Sequence, residues 1–259
     1  MIMLKVDKLH KSFGGLKAVT DVNINVNEGE LVGLIGPNGA GKTTIFNMFT
    51  GVYVPTSGNI EFADENGDLK LLSGIKPNVV AKRGISRTFQ NIRLFKDISV
   101  LDNLRISMHK SIHHNLLDAL FRLPRYRKDE ENIYEKSIEL LNFVGLSEKS
   151  ENKARNLSYG EQRKLEIARA IATGARMIFL DEPAAGMNPS ETDELGHLIL
   201  KLQKKYNLTI MLIEHDMKFV MKLCKRIYVL DFGSVIAEGS PEEIKENKRV
   251  IAAYLGENC

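Results

Sequence analysis

Cysteine is scarce in this chain of 259 residues, which has only Cys224 and the last residue, Cys259. Two cysteines cannot form the disulfide framework of a small secreted domain. A chain of this length also buries a hydrophobic core large enough to need no cross-links. We therefore expect a reducing cytoplasm as its compartment, and we expect Cys224 to be a small, buried, apolar residue.

Long apolar runs are absent as well. The N-terminal stretch MIMLKVDKLHKSF has no apolar segment long enough for a signal peptide. No window approaches the roughly 18–20 apolar residues of a membrane span. We expect a chain that contacts membrane proteins without crossing the bilayer.

A large excess of charge of one sign is also missing. Lysine and arginine number 36, aspartate and glutamate 33, and the net charge is +3. This balance is too mild to indicate a nucleic-acid partner, and we predict none. With 43% hydrophobic and 27% charged residues, the composition is that of a globular protein, either one large domain or a core with a subdomain.

The first third of the chain reads as β-strands. Apolar and polar residues alternate over residues 4–6 and 22–26. Residues 30–35 form an apolar strand, and a helix is predicted to follow over about 42–49. Between them lies the glycine-rich stretch GPNGAGKTT.

The middle of the chain is helical and charged from residue 102 to about 153. One candidate helix covers 109–121, and Pro124 ends it. A second candidate covers 129–144. We expect the His113–His114 pair to be solvated rather than a metal site. A solvated loop is the expected location of the basic residues Arg122, Arg125, Arg127 and Lys128.

The last third alternates strands and helices. The pattern predicts strands at 177–180 and 209–213, a helix at 191–206 between them, and a hairpin formed by 226–230 and 235–238. Such alternation indicates an α/β fold with a mainly parallel sheet.

The stretch GPNGAGKT matches the pattern G-x-x-x-x-G-K-[ST] of a phosphate-binding loop, or P-loop. Glycines let backbone N–H groups surround phosphates at the N-terminus of the following helix. Lys42 is placed to reach the β- and γ-phosphates of a nucleotide, and the Thr43 hydroxyl to ligate Mg²⁺. The predicted nucleotide-binding residues of this loop are Gly36, Pro37, Asn38, Gly39, Ala40, Gly41, Lys42, Thr43 and Thr44.

Polar residues follow three further strand ends, which is where open α/β sheets bind ligands. Asp181 emerges after the strand in FLDEP and would hold Mg²⁺ through water, while Glu182 would polarise an attacking water. Gln90 follows a predicted strand at 87–89 and is placed to sense Mg²⁺ or that water. His215 follows the strand at 209–214 and is placed to contact the γ-phosphate.

A second potential anion-binding loop is the stretch NLSYGEQ, residues 156–162. Ser158 and Glu161 have the spacing of a capping box, in which each side chain satisfies the other residue's backbone N–H. Gly160 allows close approach of the backbone to a ligand.

Taken in order, these motifs resemble those of the ATP-binding subunits of ABC transporters. In that family the second loop is the signature motif LSGGQ, and two chains pair head to tail. Each signature loop then covers the γ-phosphate on the other chain's P-loop. The motifs that carry the resemblance are Gly36–Thr44, Gln90, Leu157–Gln162, Asp181–Glu182 and His215.

The resemblance implies a role for each matching residue. ATP would stack its adenine on Phe13, and Mg²⁺ would be held by Thr43, Gln90 and Asp181. The partner chain would contribute Ser158, Gly160 and Gln162. The residues expected to act in catalysis are Glu182, His215, Gln90 and Lys42.

The sequence departs from the common family pattern at three positions. Tyr159 stands in the signature motif, which reads LSYGEQ, and Asn188 stands where an aspartate is usual. Phe13 replaces the more usual tyrosine, which removes a hydroxyl and keeps the stacking face.

Longer stretches resemble one subfamily, the ATPase subunits of branched-chain amino-acid importers. Such importers combine an extracytoplasmic binding protein, two membrane-spanning permease subunits and two ATPases, identical or different. The resemblance implies a peripheral location on the cytoplasmic face of the cell membrane. The matching stretches are SFGGLKAV, RTFQNIRLFKDISVLDNL, LSYGEQRKLEIARA, DEPAAGMNPSE and AEGSPEEIKENKRVIAAYLG.

The expected fold is therefore α/β, with a P-loop nucleotide-binding core, a mainly parallel sheet, an N-terminal antiparallel β subdomain and an inserted α-helical subdomain. We expect a single ABC ATPase domain over 1–259. Its parts would be the N-terminal strands and P-loop at 1–90, the helical subdomain at 91–160, and the rest of the core with a C-terminal helix at 161–259.

Other functions compete with this interpretation. The nearest rivals are the ATPases of urea importers and lipopolysaccharide exporters. A soluble ABC ATPase acting on DNA or ribosomes is disfavoured, because the interval between P-loop and signature is short and the chain holds one cassette. A nucleotide kinase would leave LSYGEQ, Gln90 and His215 without a role.

Overall fold

The computed structural model describes residues 1–108, 118 and 123–255, and they fall into two compact units. Unit 1 consists of residues 1–87 and the chain from 176 onward, and unit 2 of residues 88–175. Several predictions lie outside the described residues: the helix at 109–121, the His113–His114 pair, Arg122 and Cys259.

Unit 1 contains two sheets. In chain order, the strands of the described residues are β1 Ile2–Phe13, β2 Leu16–Asn27, β3 Leu31–Ile35, β4 Ser57–Ala63, β5 Leu69–Leu71, β6 Ile85–Arg87, β7 Met177–Asp181, β8 Thr209–Ile213, β9 Arg226–Asp231 and β10 Ser234–Gly239.

Helices occur in both units. Numbered along the described residues, they are α1 Lys42–Phe49, α2 Pro77–Lys82, α3 Val100–Ser107, α4 Pro124–Val144, α5 Tyr159–Ala172, α6 Pro189–Tyr206, α7 Met217–Leu223, α8 Pro241–Glu246 and α9 Lys248–Leu255. Helices α3, α4 and α5 belong to unit 2, together with short 3₁₀ turns at Ser147–Lys149 and Ala154–Asn156.

The first sheet is antiparallel, with the strand order β2-β1-β4-β5. Leu4 pairs with Val26 and Val6 with Ile24, and all four side chains are buried. Because side chains alternate between the two faces of a strand, the apolar residues of β1 and β2 share one face. The predicted N-terminal strands are present.

The second sheet is parallel except at one edge, with the order β10-β9-β3-β8-β7-β6. Strand β10 runs antiparallel to β9. Every residue of β3, β7 and β8 is buried. Such unbroken apolar runs are typical of parallel strands covered on both faces. The expected mainly parallel sheet is confirmed.

The core of unit 1 joins the two sheets and α1. Phe46 and Phe49 on one side of α1 pack against Phe179 of β7, with ring centroids 4.9 and 5.6 Å apart. Apolar residues of β1, β2 and β4 belong to the same buried cluster. The helix that follows the P-loop is thereby fixed to the central sheet.

Unit 2 is helical. Helix α4 begins at Pro124, earlier than the predicted 129, because a proline lacks only an N–H that the first helical turn leaves unbonded. It buries Ile133, Leu140, Leu141 and Val144. Arg125, Arg127 and Lys128 are exposed on this helix rather than in a loop.

The structure extends unit 2 to Ala175, beyond the expected limit at residue 160. The physical reason is that α5 packs against α3 and α4. The stretch opened by the signature loop therefore belongs to the helical unit over its whole length.

Among the described residues, no helix combines the length and the apolar character needed to cross a bilayer.

Cys224 is buried with a free thiol, as predicted, and burial raises the pKa of that thiol.

Gly33 lies in β3 where neighbouring side chains leave little room for a Cβ atom. A Cβ at this position would lie 3.0 Å from Val220 Cγ1 and 3.3 Å from Cys224 Sγ. Gly33→Ala should therefore lower the free energy of unfolding by roughly 1–3 kcal/mol through overpacking. Gly15→Ala is the control, because nothing lies within 4 Å of a Cβ there. Equal unfolding midpoints of the two variants in urea would contradict this packing.

Candidate functional site

The P-loop connects β3 to α1 and depends on left-handed glycines. Gly36, Gly39 and Gly41 have φ angles of 152, 82 and 102°. A Cβ at Gly41 would lie 2.7 Å from the Ala18 carbonyl oxygen, and one at Gly36 would run into the Leu230 carbonyl. Glycine is thus required by both φ and space. No side chain caps the N-terminus of α1, so its first N–H groups remain suited to an anion.

Lys42 is buried at the base of this loop. Its Nζ donates to the carbonyl oxygens of Gly36, at 2.7 Å, and Pro37, at 2.9 Å. Burial lowers the pKa of Lys42, while the charges of Glu182 and Asp181 act in the opposite direction. A cation held largely by neutral carbonyls adds to the preference of the loop for an anionic ligand.

Asp181 ends β7 and is paired with Arg87, the last residue of β6. The Arg87 Nη2 and Asp181 Oδ2 atoms are 2.6 Å apart, and the two side chains are only 5 and 7% exposed. Arg87 Nη1 also donates to Asn47 Oδ1 on α1, at 2.6 Å. Arg87 therefore holds the Asp181 carboxylate. Arg87 was not among the site residues predicted from the sequence, although it lies close to Gln90 in the stretch RTFQ.

Glu182 and His215 meet across the ends of β7 and β8. The Glu182 Oε1 and His215 Nε2 atoms are 2.8 Å apart. Glu182 has φ 48°, a left-handed conformation that is uncommon for residues other than glycine. Its N–H donates to the Ile213 carbonyl, at 2.9 Å. The sequence placed both residues at strand ends but did not predict that they would be in contact.

Glu214 is a buried carboxyl that sequence reasoning also missed. Its side chain accepts from the N–H of Ala184, at 2.7 Å, and from the N–H of His215, at 3.1 Å. Burial raises the pKa of Glu214, and these N–H donors oppose that effect. Glu214 thus links the segments that follow β7 and β8. Its only signal in the sequence was its position beside His215.

P-loop residues, Glu182 and His215 surround an open cleft of about 220 Å³. It brings together P-loop residues from one strand end with Glu182 and His215 from two others. Its lining residues are Asn38, Gly39, Gly41, Lys42, Thr43, Thr44, Glu182 and His215.

The chemistry of the cleft fits a nucleotide phosphate and Mg²⁺. Backbone N–H groups and the Lys42 ammonium match an anion. The Thr43 hydroxyl and the Asp181 carboxylate are oxygen donors of the kind Mg²⁺ prefers. Among the described residues, no cluster of three or more histidine, cysteine or carboxylate side chains forms a dedicated metal cage.

Phe13 lies at the end of β1 and is partly exposed. Its ring meets Tyr53 edge-on at 5.2 Å, and the Lys11 ammonium is 4.8 Å from the ring centroid. An exposed aromatic face beside a cation is compatible with base stacking. The predicted stacking on adenine stays a prediction.

The signature loop, Leu157–Gln162, opens α5 in unit 2. Ser158 is the N-cap, and the predicted capping box with Glu161 is present: the Ser158 N–H donates to Glu161 Oε2 at 3.0 Å. Lys149 lies against Glu161 and lowers the pKa of its carboxyl. Gln162 donates to the Leu157 carbonyl, at 2.9 Å. The loop is therefore held by its own side chains and by Lys149.

Gln90 and Asn188 are each hydrogen-bonded within their own unit. Gln90 lies in unit 2, where its carbonyl accepts from Arg163 at 2.9 Å, and its role toward Mg²⁺ stays a prediction. Asn188 caps α6 in unit 1 by accepting from the Glu191 N–H, at 3.0 Å. Asparagine and aspartate are equally good N-caps, so this departure from the family pattern keeps the cap.

Comparison with protein families gives two matches. The family described as "ABC transporter" matches residues 19–185. The family described as "Branched-chain amino acid ATP-binding cassette transporter" matches residues 234–258. The first match includes the P-loop, Gln90, the signature loop and Asp181–Glu182.

Comparison with individual proteins finds relatives that are named as branched-chain amino acid transport ATP-binding proteins. The chain is 46% identical over 255 residues to the high-affinity branched-chain amino acid transport ATP-binding protein BraF of Pseudomonas aeruginosa, with 98% of each chain covered. The values are the same for LivG of Escherichia coli. The fold of the present chain is similar to the crystal structure of the ADP conformation of an ATP-binding cassette of an ABC transporter. The TM-score is 0.83, the sequence identity is 32%, and 99% of each chain is covered.

Arg87→Met should destabilise the protein by roughly 3 kcal/mol, because it removes the cation from a buried ion pair with the Asp181 carboxylate. Removing both charges, in Arg87→Met combined with Asp181→Asn, should restore part of this loss. The free energy of unfolding in urea measures both effects. Lys222→Met is the control, since its ion pair with Asp193 is about half exposed and should contribute under roughly 1 kcal/mol. Similar losses for Arg87→Met and Lys222→Met would contradict the importance of the buried pair.

Proposed function

Because the chain belongs to the ATP-binding cassette family of ABC transporters, we propose that it hydrolyses ATP to drive an importer of branched-chain amino acids. The observation that carries the enzymatic part is the cleft in which the P-loop faces the Glu182–His215 pair. The amino-acid substrate is supported by the names of the 46% identical relatives and by the terminal family match at 234–258.

ATP binds with its phosphates on the P-loop. The N–H groups at the start of α1 donate to phosphate oxygens, and Lys42 turns from the carbonyls of Gly36 and Pro37 to the β- and γ-phosphates. Its burial strengthens this interaction, because a charge pair in a poorly solvated site is weakly screened. Phe13 supports the adenine ring.

Thr43 and Asp181 are the residues of unit 1 that would hold Mg²⁺, Asp181 through water. When bound, Mg²⁺ neutralises charge on the β- and γ-phosphate oxygens. The Arg87 guanidinium fixes the Asp181 carboxylate at the end of β7.

Glu182 orients the attacking water and accepts its proton, and His215 donates to an oxygen of the γ-phosphate. Both groups are already positioned by backbone contacts, Glu182 through the Ile213 carbonyl and His215 through Glu214. Phosphoryl transfer needs mainly positioning and charge stabilisation, which this arrangement supplies.

Two chains pair head to tail, so that each signature loop completes the other chain's site. Ser158, Gly160 and Gln162 would then face the γ-phosphate held by the partner chain. Binding of ATP favours the closed pair, and hydrolysis releases it. The second chain is identical or a related ATPase.

The closing motion acts on two membrane-spanning permease subunits, and an extracytoplasmic binding protein delivers the amino acid to them. The chain would thus lie on the cytoplasmic face of the membrane. Nothing in its cleft recognises an amino acid, since the lining consists of P-loop residues, Glu182 and His215. Specificity belongs to the other subunits.

Glu182→Gln should retain ATP binding and lose hydrolysis, because the amide keeps the size of the side chain but cannot accept the proton of water. A fall in ATPase rate of about 10²-fold or more is expected. With ATP present, the variant should elute from a sizing column as a persistent dimer. Glu246→Gln, at the exposed end of α8, is the control. Hydrolysis by Glu182→Gln at the wild-type rate would contradict the assigned role.

Transport itself can be measured with the chain in liposomes together with its co-purified membrane subunits and binding protein. Uptake of leucine, isoleucine and valine should depend on ATP. It should stop when Lys42→Ala replaces the wild-type chain, because the γ-phosphate loses its main cation. Uptake of urea in place of the amino acids, or no ATP-dependent uptake of any of the three, would overturn the proposed substrate.

A further inference from the structure

Tyr159 is the residue at which the signature loop departs from the common family pattern, and the structure gives its hydroxyl a defined partner. We infer that Tyr159 is a positioning residue: through Arg163 it joins the signature loop to the chain around Gln90, so that these two segments of unit 2 move as one piece. The inference rests on the proposed function for its consequence in ATP hydrolysis, but the contact itself can be tested without it.

Arg163 is the centre of this connection. It lies on α5, one turn after Tyr159, and its side chain is fully buried, at 0% exposure. Its Nη1 donates to the Phe89 carbonyl, at 2.8 Å, and its Nη2 to the Gln90 carbonyl, at 2.9 Å. A rigid guanidinium that binds two successive carbonyls fixes the path of that backbone.

Glu166 completes the connection from the next turn of α5. Its Oε2 pairs with Arg163 Nη1 at 2.7 Å, so the buried cation has a counter-charge. Its Oε1 accepts from the N–H of Arg93, at 3.2 Å, and the N–H of Phe89, at 3.4 Å. The segment 89–93 is therefore bound to α5 through both its carbonyl and its N–H groups. We call Tyr159, Arg163 and Glu166 the Arg163 network.

Tyr159 extends this network to the signature loop. Its hydroxyl accepts from Arg163 Nη2 at 3.2 Å, and the same Nη2 binds the Gln90 carbonyl. One guanidinium nitrogen thus joins the first residue of α5 to Gln90. A glycine at position 159, as in LSGGQ, has no side chain to make this bond. The tyrosine ring is directed to its own helix, and the loop keeps Ser158 as its N-cap.

The bonds of Arg163 to the Tyr159 hydroxyl and to the Gln90 carbonyl connect the signature loop mechanically to the segment around Gln90. Ser158 and Gly160 flank Tyr159, so any shift of the Arg163 guanidinium is passed to the loop proposed to contact the partner's γ-phosphate. Hydrogen bonds to a charged, buried donor are stronger than neutral ones, and they fix geometry. Loss of the Tyr159 hydroxyl should leave the segment 89–93 attached to Arg163 and Glu166 of α5, and should remove the side-chain bond that joins Arg163 to the signature loop.

The test uses Tyr159→Phe in the full chain, because this variant removes one oxygen atom and keeps the ring. Tyr134→Phe is the matched control: Tyr134 lies on α4 in the same unit and is 50% exposed, against 45% for Tyr159. Hydrogen exchange of backbone amides is followed by mass spectrometry. Tyr159→Phe should speed exchange of amides in the stretch 158–163 by about threefold or more, and Tyr134→Phe should not.

A second measurement separates positioning from a general loss of structure. In the complex with the membrane subunits, Tyr159→Phe should lower kcat for ATP several-fold and leave KM nearly unchanged, because the P-loop of each chain is intact. The melting temperature should equal that of Tyr134→Phe. Unchanged exchange at 158–163 would overturn the inference, as would a change that appears equally throughout unit 2. Absence of ATPase activity in the wild-type complex would instead overturn the proposed function and leave the exchange result to decide on the network.

Discussion

The register of the parallel strands β3, β7 and β8 is the constraint on which the site depends. Leu34 pairs with Ile213, and Ile213 pairs with Asp181. The three strands therefore end at the same level, and whatever follows them is brought to one edge of the sheet. The P-loop follows β3, Glu182 follows β7, and Glu214–His215 follows β8. A shift of one residue in any pair would turn the strand's side chains to the opposite face.

The polar side chains at this edge contact one another. Arg87 faces Asp181, His215 Nε2 lies beside Glu182 Oε1, and Lys42 donates to neutral carbonyls near both carboxylates. Buried charges are costly unless they are compensated, so the Arg87–Asp181 pair allows a polar cleft to exist beside the apolar core. Of these groups, Lys42 can most readily exchange its hydrogen-bond partners for a phosphate, because those partners are neutral carbonyls.

In unit 2, polar contacts likewise fix the position of the signature loop. The signature loop is held by a capping box, by Lys149 on Glu161 and by the Arg163 network. Each of these contacts lies within unit 2. A loop whose position is fixed inside its own unit can be presented to another chain as a formed surface, which reduces the ordering cost of association.

The sequence by itself determined the local structure and most of the residues of the cleft. The spacing of Gly36, Gly41 and Lys42, the helix at 42–49 and the capping box at Ser158 depend on backbone conformation and near neighbours, so they are legible in the sequence. Only the tertiary structure decided that Arg87 holds Asp181, that Glu214 joins two strand ends, and that Tyr159 reaches Gln90 through Arg163. The first two contacts join residues far apart in the chain, and Arg163 must cross to a segment about 70 residues earlier. The strand order and the packing of α5 set such meetings, and no local pattern records them.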